Sequence, residues 1–538
     1  MELYPIMLFV VLLAGAALAL ASWLWRHFSH FSRMGVNHVS AVPLLGDMAG
    51  VVLQKEHTVD VLMRCYGGFP DDRFVGRYEF MAPFLLIKDP ELLKRITVKD
   101  FDYFVDRSRV IDEKIEPLFG RALVGLRSDE WRNMRSNLSP AFTSSKIRQM
   151  VPFMVDVGEK MMSALKSKID QSKDGYIDLE AKNLTSRYAT DVIATCAFGL
   201  EINSQTEDNL FYKISTETTS FSAGAKIRLF AYRIVPWVMY TLKLSIFPKK
   251  IREFYSNVVL GAMKQREEMN IHRPDMINLL MEAKKGQLSH DVKTAKDEHA
   301  GFATVEESEI GKSKTKNTAW SDMDLVAQAV IFLFAGYETV STTMAFLLHE
   351  LAVNPECQEK LVQEIRENEE RNNGQFDYNS VQHMTYLDMI VSEVLRKWPA
   401  APVVDRLCMK DYNLGKPNSK ATKDIILRKG QAVQIPLWSF QHDPKYFPHP
   451  DKFDPERFSE ENKHKIDPFT YMPFGLGPRN CIGSRFALCE VKVMAYQLLQ
   501  HIEVSPCEKT TIPIRLCNKN GLRIAVEGGH WLRFRARK

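Results

Sequence analysis

Phe474-Gly475-Leu476-Gly477-Pro478-Arg479-Asn480-Cys481-Ile482-Gly483, continued by Ser484-Arg485-Phe486-Ala487-Leu488, is the stretch from which the rest of the chain can be read. Its glycines and proline leave a loop with few side chains, so a flat ligand can come close to the backbone. From Ser484 to Leu499 apolar residues recur at helical spacing, which predicts a helix. Cys481 then lies at or just before a helix N-terminus. Free N–H groups and the positive end of the macrodipole favour a thiolate there. Two other meanings compete. A lone cysteine in such a turn is most often a small buried apolar residue. Gly475-Leu476-Gly477 also begins like a dinucleotide-binding loop, but Asn480 stands where the third glycine belongs, and no strand–helix–strand pattern surrounds it.

A thiolate beside a flat cofactor is what a haem-thiolate centre requires. Arg479 can direct its guanidinium at a haem propionate. The pattern F-G-x-G-x-R-x-C-x-G resembles the haem-binding signature of the cytochrome P-450 family, and other features resemble insect microsomal members that metabolise xenobiotics. The resemblance implies haem b (iron protoporphyrin IX) as cofactor. Cys481 would be the axial ligand of its iron, and Phe474 and Gly483 would belong to the haem-binding loop. It also implies a mainly α fold with a small β region (α+β), a triangular helical body with haem between a long central helix and the C-terminal helix.

The chain has 538 residues, enough for two or three average domains or one large one. Net charge is only +5, with no basic arm, so nucleic acid is not an expected partner. The 8 cysteines are scattered without paired spacing, which suits a reducing compartment. Pro5 to Trp25 carries no charge and at helical rise covers about 30 Å, a bilayer's thickness. Trp23 and Trp25 suit the interface, and Arg26 and Arg33 follow. The n-region lacks a basic residue, which argues against a cleaved signal peptide and for a retained signal-anchor. The basic flank places the body on the cytoplasmic side, and the sequons Asn137-Leu138-Ser139 and Asn183-Leu184-Thr185 with it. The division expected is 1–25 as anchor, 26–45 as linker and 46–538 as catalytic domain, in the endoplasmic reticulum membrane.

Trp131 and Arg135, four apart on one helical face, can both donate to one carboxylate. A stacked surface pair is the commoner meaning of that spacing. The family's W-x-x-x-R motif holds a haem propionate, and Arg406 lies where the family keeps another propionate-binding arginine. Asp322 to Val353 reads as one long helix whose middle, Phe334-Ala335-Gly336-Tyr337-Glu338-Thr339, sets a glycine and an acid inside an apolar run. A kink and a satisfied polar pair would explain that in an arbitrary helix. The resemblance instead implies that Ala335 and Gly336 make room over the haem, that Thr339 bonds a carbonyl one turn back to open a groove for dioxygen, and that Glu338 and Thr339 relay protons. Glu393 and Arg396 share a helix face, and with Arg457 they match a family network that holds the cysteine loop.

Other stretches carry weaker signals. Arg73 to Lys88 reads as a hairpin broken at Ala82-Pro83, and Asp89-Pro90 opens a helix. In the family the loop Arg107–Leu126 covers the distal haem face, and Ala401 to Val404 resembles a cavity-lining strand. His442 reads as a structural histidine. Cys517 to Leu522 resembles a hairpin tip that returns to the cavity, with an atypical sequence. Leu229 to Phe247, interrupted by Pro236, is either a core helix end or a segment that dips into the membrane. Gly286 to Thr318 is charged and without apolar period, a surface loop.

Together these features imply a membrane-bound monooxygenase that inserts one atom of dioxygen into lipophilic substrates such as insecticides or plant toxins. Electrons would come from NADPH through a separate NADPH-cytochrome reductase, with cytochrome b5 as a further candidate donor. Arg132, Lys146, Arg479, Arg485 and Lys492 are the candidate docking charges for that acidic partner. The alternatives are oxidation of an endogenous lipophile such as a hormone or fatty acid, or a haem-thiolate isomerase or dehydratase that needs no dioxygen. A non-catalytic haem carrier is disfavoured by Glu338-Thr339.

Overall fold

The computed structural model describes the chain except for residues 1–2, 109–110, 221, 287–300, 306–319, 375, 377, 522 and 538. Most of the polar stretch 286–318 therefore lies outside the described residues, as do Glu2 and Leu522.

Helix α1 (Leu3–Phe28) stands outside the body with its apolar side chains exposed from Ile6 to Trp25. It is long and apolar enough to cross a membrane. The stretch 26–45, expected as a linker, is folded onto the body. Phe31 is buried against Gly76, where no Cβ has room. The Gly76 N–H donates to Asn37 O at 2.8 Å.

The strands are β1 (Phe74–Glu79), β2 (Ala82–Ile87), β3 (Tyr176–Glu180), β4 (Val404–Leu407), β5 (Tyr412–Gly415), β6 (Ile425–Leu427), β7 (Ala432–Ile435), β8 (Ile502–Pro506) and β9 (Trp531–Ala536). They form a four-stranded sheet in the order β1-β2-β7-β4, a three-stranded sheet β3-β9-β8 and the hairpin β5-β6. The β1–β2 turn falls at Phe80-Met81, with Phe80 at φ 56°, and not at Ala82-Pro83. Pro83 has no N–H to lose at the start of a strand, so it opens β2 rather than breaking the hairpin.

The helical body is carried by α2 (Ser128–Leu138), α3 (Ser144–Asp170), α4 (Ala181–Phe198), α5 (Asp322–Val353), α6 (Thr385–Lys397) and α7 (Ser484–Leu499). The reciprocal bonds between Ser321 and Asp324 start α5: the Asp324 N–H donates to Ser321 Oγ at 3.2 Å, and the Ser321 N–H to Asp324 Oδ2 at 2.8 Å. Asn354-Pro355 ends it, since the residue before proline is driven out of helical conformation. Its 32 residues run through the core, and most of their side chains are buried. Gly336 lies where α5 meets α4, and a Cβ there would come within 2.6 Å of Ile193 Cδ1. The glycine is required by helix packing as well as by the cavity beside it.

Glu393 and Arg396 in α6 are wholly enclosed and paired twice, Nε to Oε2 at 2.7 Å and Nη2 to Oε1 at 2.9 Å. Arg457 approaches Glu393 Oε1 at 3.5 Å, and the Asp454 N–H donates to the same oxygen at 3.0 Å. Arg396 also donates to Gln441 O at 2.9 Å and Pro450 O at 2.7 Å. Gln441 then carries the network onward. Its Nε2 donates to Arg396 O at 2.8 Å, and its Oε1 accepts from Met472 N–H at 3.1 Å, at the start of the loop that reaches Cys481. Burial alone pushes the Glu393 carboxyl upward, and the two arginines oppose it. Removing one partner strands a buried charge at a cost of about 3–5 kcal/mol, a large part of a protein's typical stability of about 5–15 kcal/mol. Glu393→Ala and Arg396→Ala should therefore each lose most folded protein and haem content, measured by denaturation midpoint and pigment yield. Wild-type values in either variant would refute this role for the lock.

Candidate active site

The predicted loop–helix junction forms as read. Helix α7 begins at Ser484 with Gly483 as its N-cap, and Cys481 lies just ahead of it. Gly477 adopts φ +68°, and the Thr97 carbonyl occupies the place a Cβ would need, so only glycine fits. The Cys481 N–H donates to Phe474 O at 2.8 Å, which closes the loop. The Cys481 side chain is accessible only in the sense that it opens on an internal cavity of about 380 Å³.

Ala335, Gly336 and Thr339 of α5 line the same cavity, with Trp131 and Arg135 of α2, Arg406 of β4 and Phe474, Arg479 and Gly483 of the cysteine loop. Thr339 Oγ1 donates to Ala335 O at 2.5 Å, the bond one turn back expected of it. Leu123 and Val124 from the loop 107–126, Ala401 before β4 and Val404 at its start also reach the wall, as the family pattern implied. The lining is predominantly apolar, with Ile193, Phe142, Phe332 and Leu437 among its members.

Elsewhere the structure adds to the sequence reading or corrects it. Glu338, expected to relay protons with Thr339, is not among the residues that line the cavity. Its carboxylate lies between Lys182 Nζ at 3.7 Å and Arg523 Nη1 at 3.8 Å, because two cations on α4 and the C-terminal segment outbid an apolar wall for it. Tyr337 is buried, with the Lys182 ammonium 5.9 Å from its ring. Arg479 and Lys492 are buried and cannot belong to an outer docking face, whereas Arg132, Lys146 and Arg485 keep partial exposure. The tip at Cys517 to Gly521 packs on residues 51–58 rather than on the cavity: Thr58 N–H donates to Gly521 O at 3.0 Å. His442 is stacked on Trp438 and held neutral by burial, its pKa lowered to about 3, in keeping with a structural role.

The thiol also behaves differently from the helix-end argument. Burial pushes the Cys481 thiol up, against the pull of the Gly483 N–H, Arg135 and Arg107. The helix terminus alone does not make a thiolate here. A bonded metal cation would supply the missing stabilisation, since a coordinated thiol gives up its proton.

Among the described residues, four guanidiniums line the cavity with the sulfur: Arg107, Arg135, Arg406 and Arg479. Arg479 stacks 4.0 Å from the Trp131 ring and donates to Val105 O and Leu126 O at 2.8 and 2.9 Å. Arg135 binds the loop through Asn480, Nη1 to the backbone O at 3.0 Å and Nη2 to Oδ1 at 2.7 Å. Of the nearby carboxylates, Asp106 lies 3.6 Å from Arg479 Nη2 and also accepts from the Ser128 N–H, and Asp405 accepts from the Ser108 N–H. Burial and like charge lower the Arg406 pKa to about 9 and the Arg479 pKa to about 8. A guanidinium keeps its proton at these values; burial is the larger cause of the shifts, and repulsion from the neighbouring guanidiniums adds to it. Arg406 Nε is buried with no hydrogen-bond partner among the described residues. A flat group bearing carboxylates matches this donor set, and the residues present fit haem and its two propionates. Arg107, Asn480, Lys182 and Gln441 were not singled out from the sequence. Their roles depend on residues far away in the chain, and only Arg107's place in the cavity-covering loop hinted at one.

Comparison with known proteins agrees with this arrangement. A family model described as Cytochrome P450 matches residues 40–530. The chain is 41% identical over 521 residues to cytochrome P450 9e2 of Blattella germanica, covering 94% of each chain. It is 38% identical over 538 residues to a protein named probable cytochrome P450 9f2 of Drosophila melanogaster, covering 98% of each. It is 35% identical over 536 residues to cytochrome P450 9c1 of the same fly, covering 98% of each.

If Arg406 is one of the donors to a propionate, Arg406→Leu should weaken haem binding about 10- to 150-fold, the loss of one charged hydrogen bond. Haem titration into haem-free protein measures this. Arg406→Lys should recover part of the loss.

Proposed function

The chain belongs to the cytochrome P450 family, and we propose that it is a membrane-anchored member acting on lipophilic xenobiotics, with electrons from NADPH passed through a separate reductase. Family membership makes it a haem monooxygenase, an oxidoreductase with a redox partner and a lipophilic substrate. The observation that carries the finer reading is the shared cavity: the Cys481 sulfur, the Thr339 hydroxyl and a mostly apolar wall meet in one space.

Cys481 and the guanidiniums of Arg107, Arg135, Arg406 and Arg479 would hold the haem, which when bound would supply the dioxygen chemistry that thiolate ligation favours. The chain's own residues do the rest. The apolar wall desolvates a lipophile and holds it beside the reacting centre. The Thr339 hydroxyl spends its proton on Ala335 O and keeps its lone pairs for a donor in the cavity. Glu338, one residue away and turned toward Lys182 and Arg523, is the outer station of a proton path that enters the cavity through water, and the Thr339 hydroxyl accepts from and orients the last donor on that path. The acid/threonine pair favours the monooxygenase over an isomerase or dehydratase, which needs no protons delivered there. Arg132, Lys146 and Arg485 remain as the basic patch for an acidic reductase, or for cytochrome b5.

For placement, α1 is read as the anchor of 1–25, extended to Phe28, with 26–45 as a packed connection and 46–538 as the catalytic domain on the cytoplasmic side of the endoplasmic reticulum membrane. The paired helices Ala223–Ile234 and Pro236–Thr241 expose Ile227, Phe230, Trp237 and Tyr240 together, which supports the membrane-dipping reading of that segment.

The deciding measurement is the absorption of reduced protein under carbon monoxide. The strongly red-shifted Soret band should be present in the native chain and lost in Cys481→Ala. A native chain without it is not a thiolate enzyme. The proton path carries its own test. Burial lowers the Lys182 pKa to about 8, against the opposing pull of Glu338. Lys182 is thus charged below that pH and loses its proton as the pH rises through it, leaving Glu338 with Arg523 alone. Product formed per NADPH consumed should therefore change between pH 7 and 9, and Lys182→Met should flatten that change.

A further inference from the structure

Residues 301–305 sit between two stretches that lie outside the described residues, yet their own placement is specific. Gly301 has φ +89°, and the Asp388 carboxylate stands where a Cβ would be, so glycine is required twice over. The Phe302 N–H donates to Asp388 Oδ2 at 2.9 Å. The Phe302 ring meets Phe458 at 5.1 Å and Tyr471 at 5.4 Å, and those two rings lie 5.0 Å apart. Ala303 behind it is buried.

Each residue of this receptor touches the machinery that holds the cysteine loop. Asp388 is in α6 with Glu393 and Arg396, and its Oδ1 pairs with Lys492 Nζ of α7 at 2.7 Å. Lys492 is fully buried, so Asp388 is its charge partner inside the protein. Phe458 follows Arg457, which approaches Glu393. The Tyr471 hydroxyl donates to Ser392 O at 3.0 Å, and Tyr471 immediately precedes Met472, whose N–H is held by Gln441. One aromatic ring thus closes the space between the lock, α7 and the first residues of the loop.

We propose that Gly301-Phe302 is a tethered docking motif for the groove formed by Asp388, Lys492, Phe458 and Tyr471, and that Phe302 is a positioning residue for the Cys481 loop, acting through Tyr471. The groove takes a glycine followed by an aromatic residue, and its occupant is this chain's own segment 301–305. Glycine lets the backbone reach the carboxylate, and the ring fills the aromatic cleft. The motif concerns the rigidity of the loop and does not depend on which substrate the enzyme oxidises.

Hydrogen exchange of the full-length, haem-loaded protein tests this, read on peptides covering 470–483. Phe302→Ala should raise exchange there about tenfold through local opening, and should speed loss of the red-shifted carbon monoxide band. Phe302→Leu should restore much of the protection. Gly301→Ala keeps the ring but collides with Asp388, and should give the same exchange phenotype. It also serves if Phe302→Ala fails to fold. The control is Phe376→Ala, whose ring packs 4.8 Å from Tyr496 toward the other end of α7. It should leave 470–483 protected. A peptide Ala-Gly-Phe-Ala-Thr-Val at millimolar concentration should slow exchange in Phe302→Ala. Unchanged exchange in both the Phe302→Ala and Gly301→Ala proteins, or equal deprotection in the control, overturns the proposal.

Discussion

Glu393 has no contact with water, and its charge is tolerable only because Arg396 meets both carboxylate oxygens with its own donors. In a low-dielectric interior that two-pronged geometry is what offsets desolvation of two ions. The consequence reaches beyond one pair. Arg396 spends its remaining donors on backbone carbonyls of the segment 441–450, and Gln441 relays the hold to Met472. The loop that carries Cys481 is thereby pinned to α6 by groups that cannot let go without leaving buried charge unpaired.

The cavity follows the opposite electrostatic rule. In the lock the fully enclosed Glu393 and Arg396 are matched one to one, and Arg457, which keeps some exposure, approaches the same carboxylate at 3.5 Å. Around the sulfur, among the described residues, the guanidiniums outnumber the carboxylates: Asp106 pairs with Arg479 at 3.6 Å and, like Asp405, also accepts from a backbone N–H. Such a surplus is costly in a bare protein and favourable beside an anionic cofactor, so the same residues that strain the site prepare it for a ligand. The sulfur fits this scheme. Its thiol is pushed up by burial, and a bonded cation is the natural source of the stabilisation that the helix end does not supply.

The two ends of the oxygen-side helix motif are divided between two environments. Thr339 looks into the cavity, and Glu338 looks toward Lys182 and Arg523. Adjacent residues on a helix point about 100° apart, so one neighbour can work on the reacting side while the other stays in contact with outside charge. Gly336 shows a second division of labour, since it lines the cavity and also admits Ile193 of α4.

Local chemistry was legible in the chain itself. The glycine-rich loop, the cysteine before a helix, the span of α5 and α7, the i, i+3 pairing of Glu393 with Arg396 and the apolar α1 all rest on neighbours a few positions apart, where spacing alone settles which side chains share a face. What required the folded structure were matters of orientation and company between distant segments. Arg479 turned out to stack on Trp131, Lys492 to lie in the core beside Asp388, Glu338 to face away from the cavity, and Phe302 to be a docked ring inside a stretch that reads only as polar. A charge or an aromatic ring looks the same in a sequence whether it ends in water or against another element. The free energy that decides between them comes from partners hundreds of residues away, which only tertiary packing brings together.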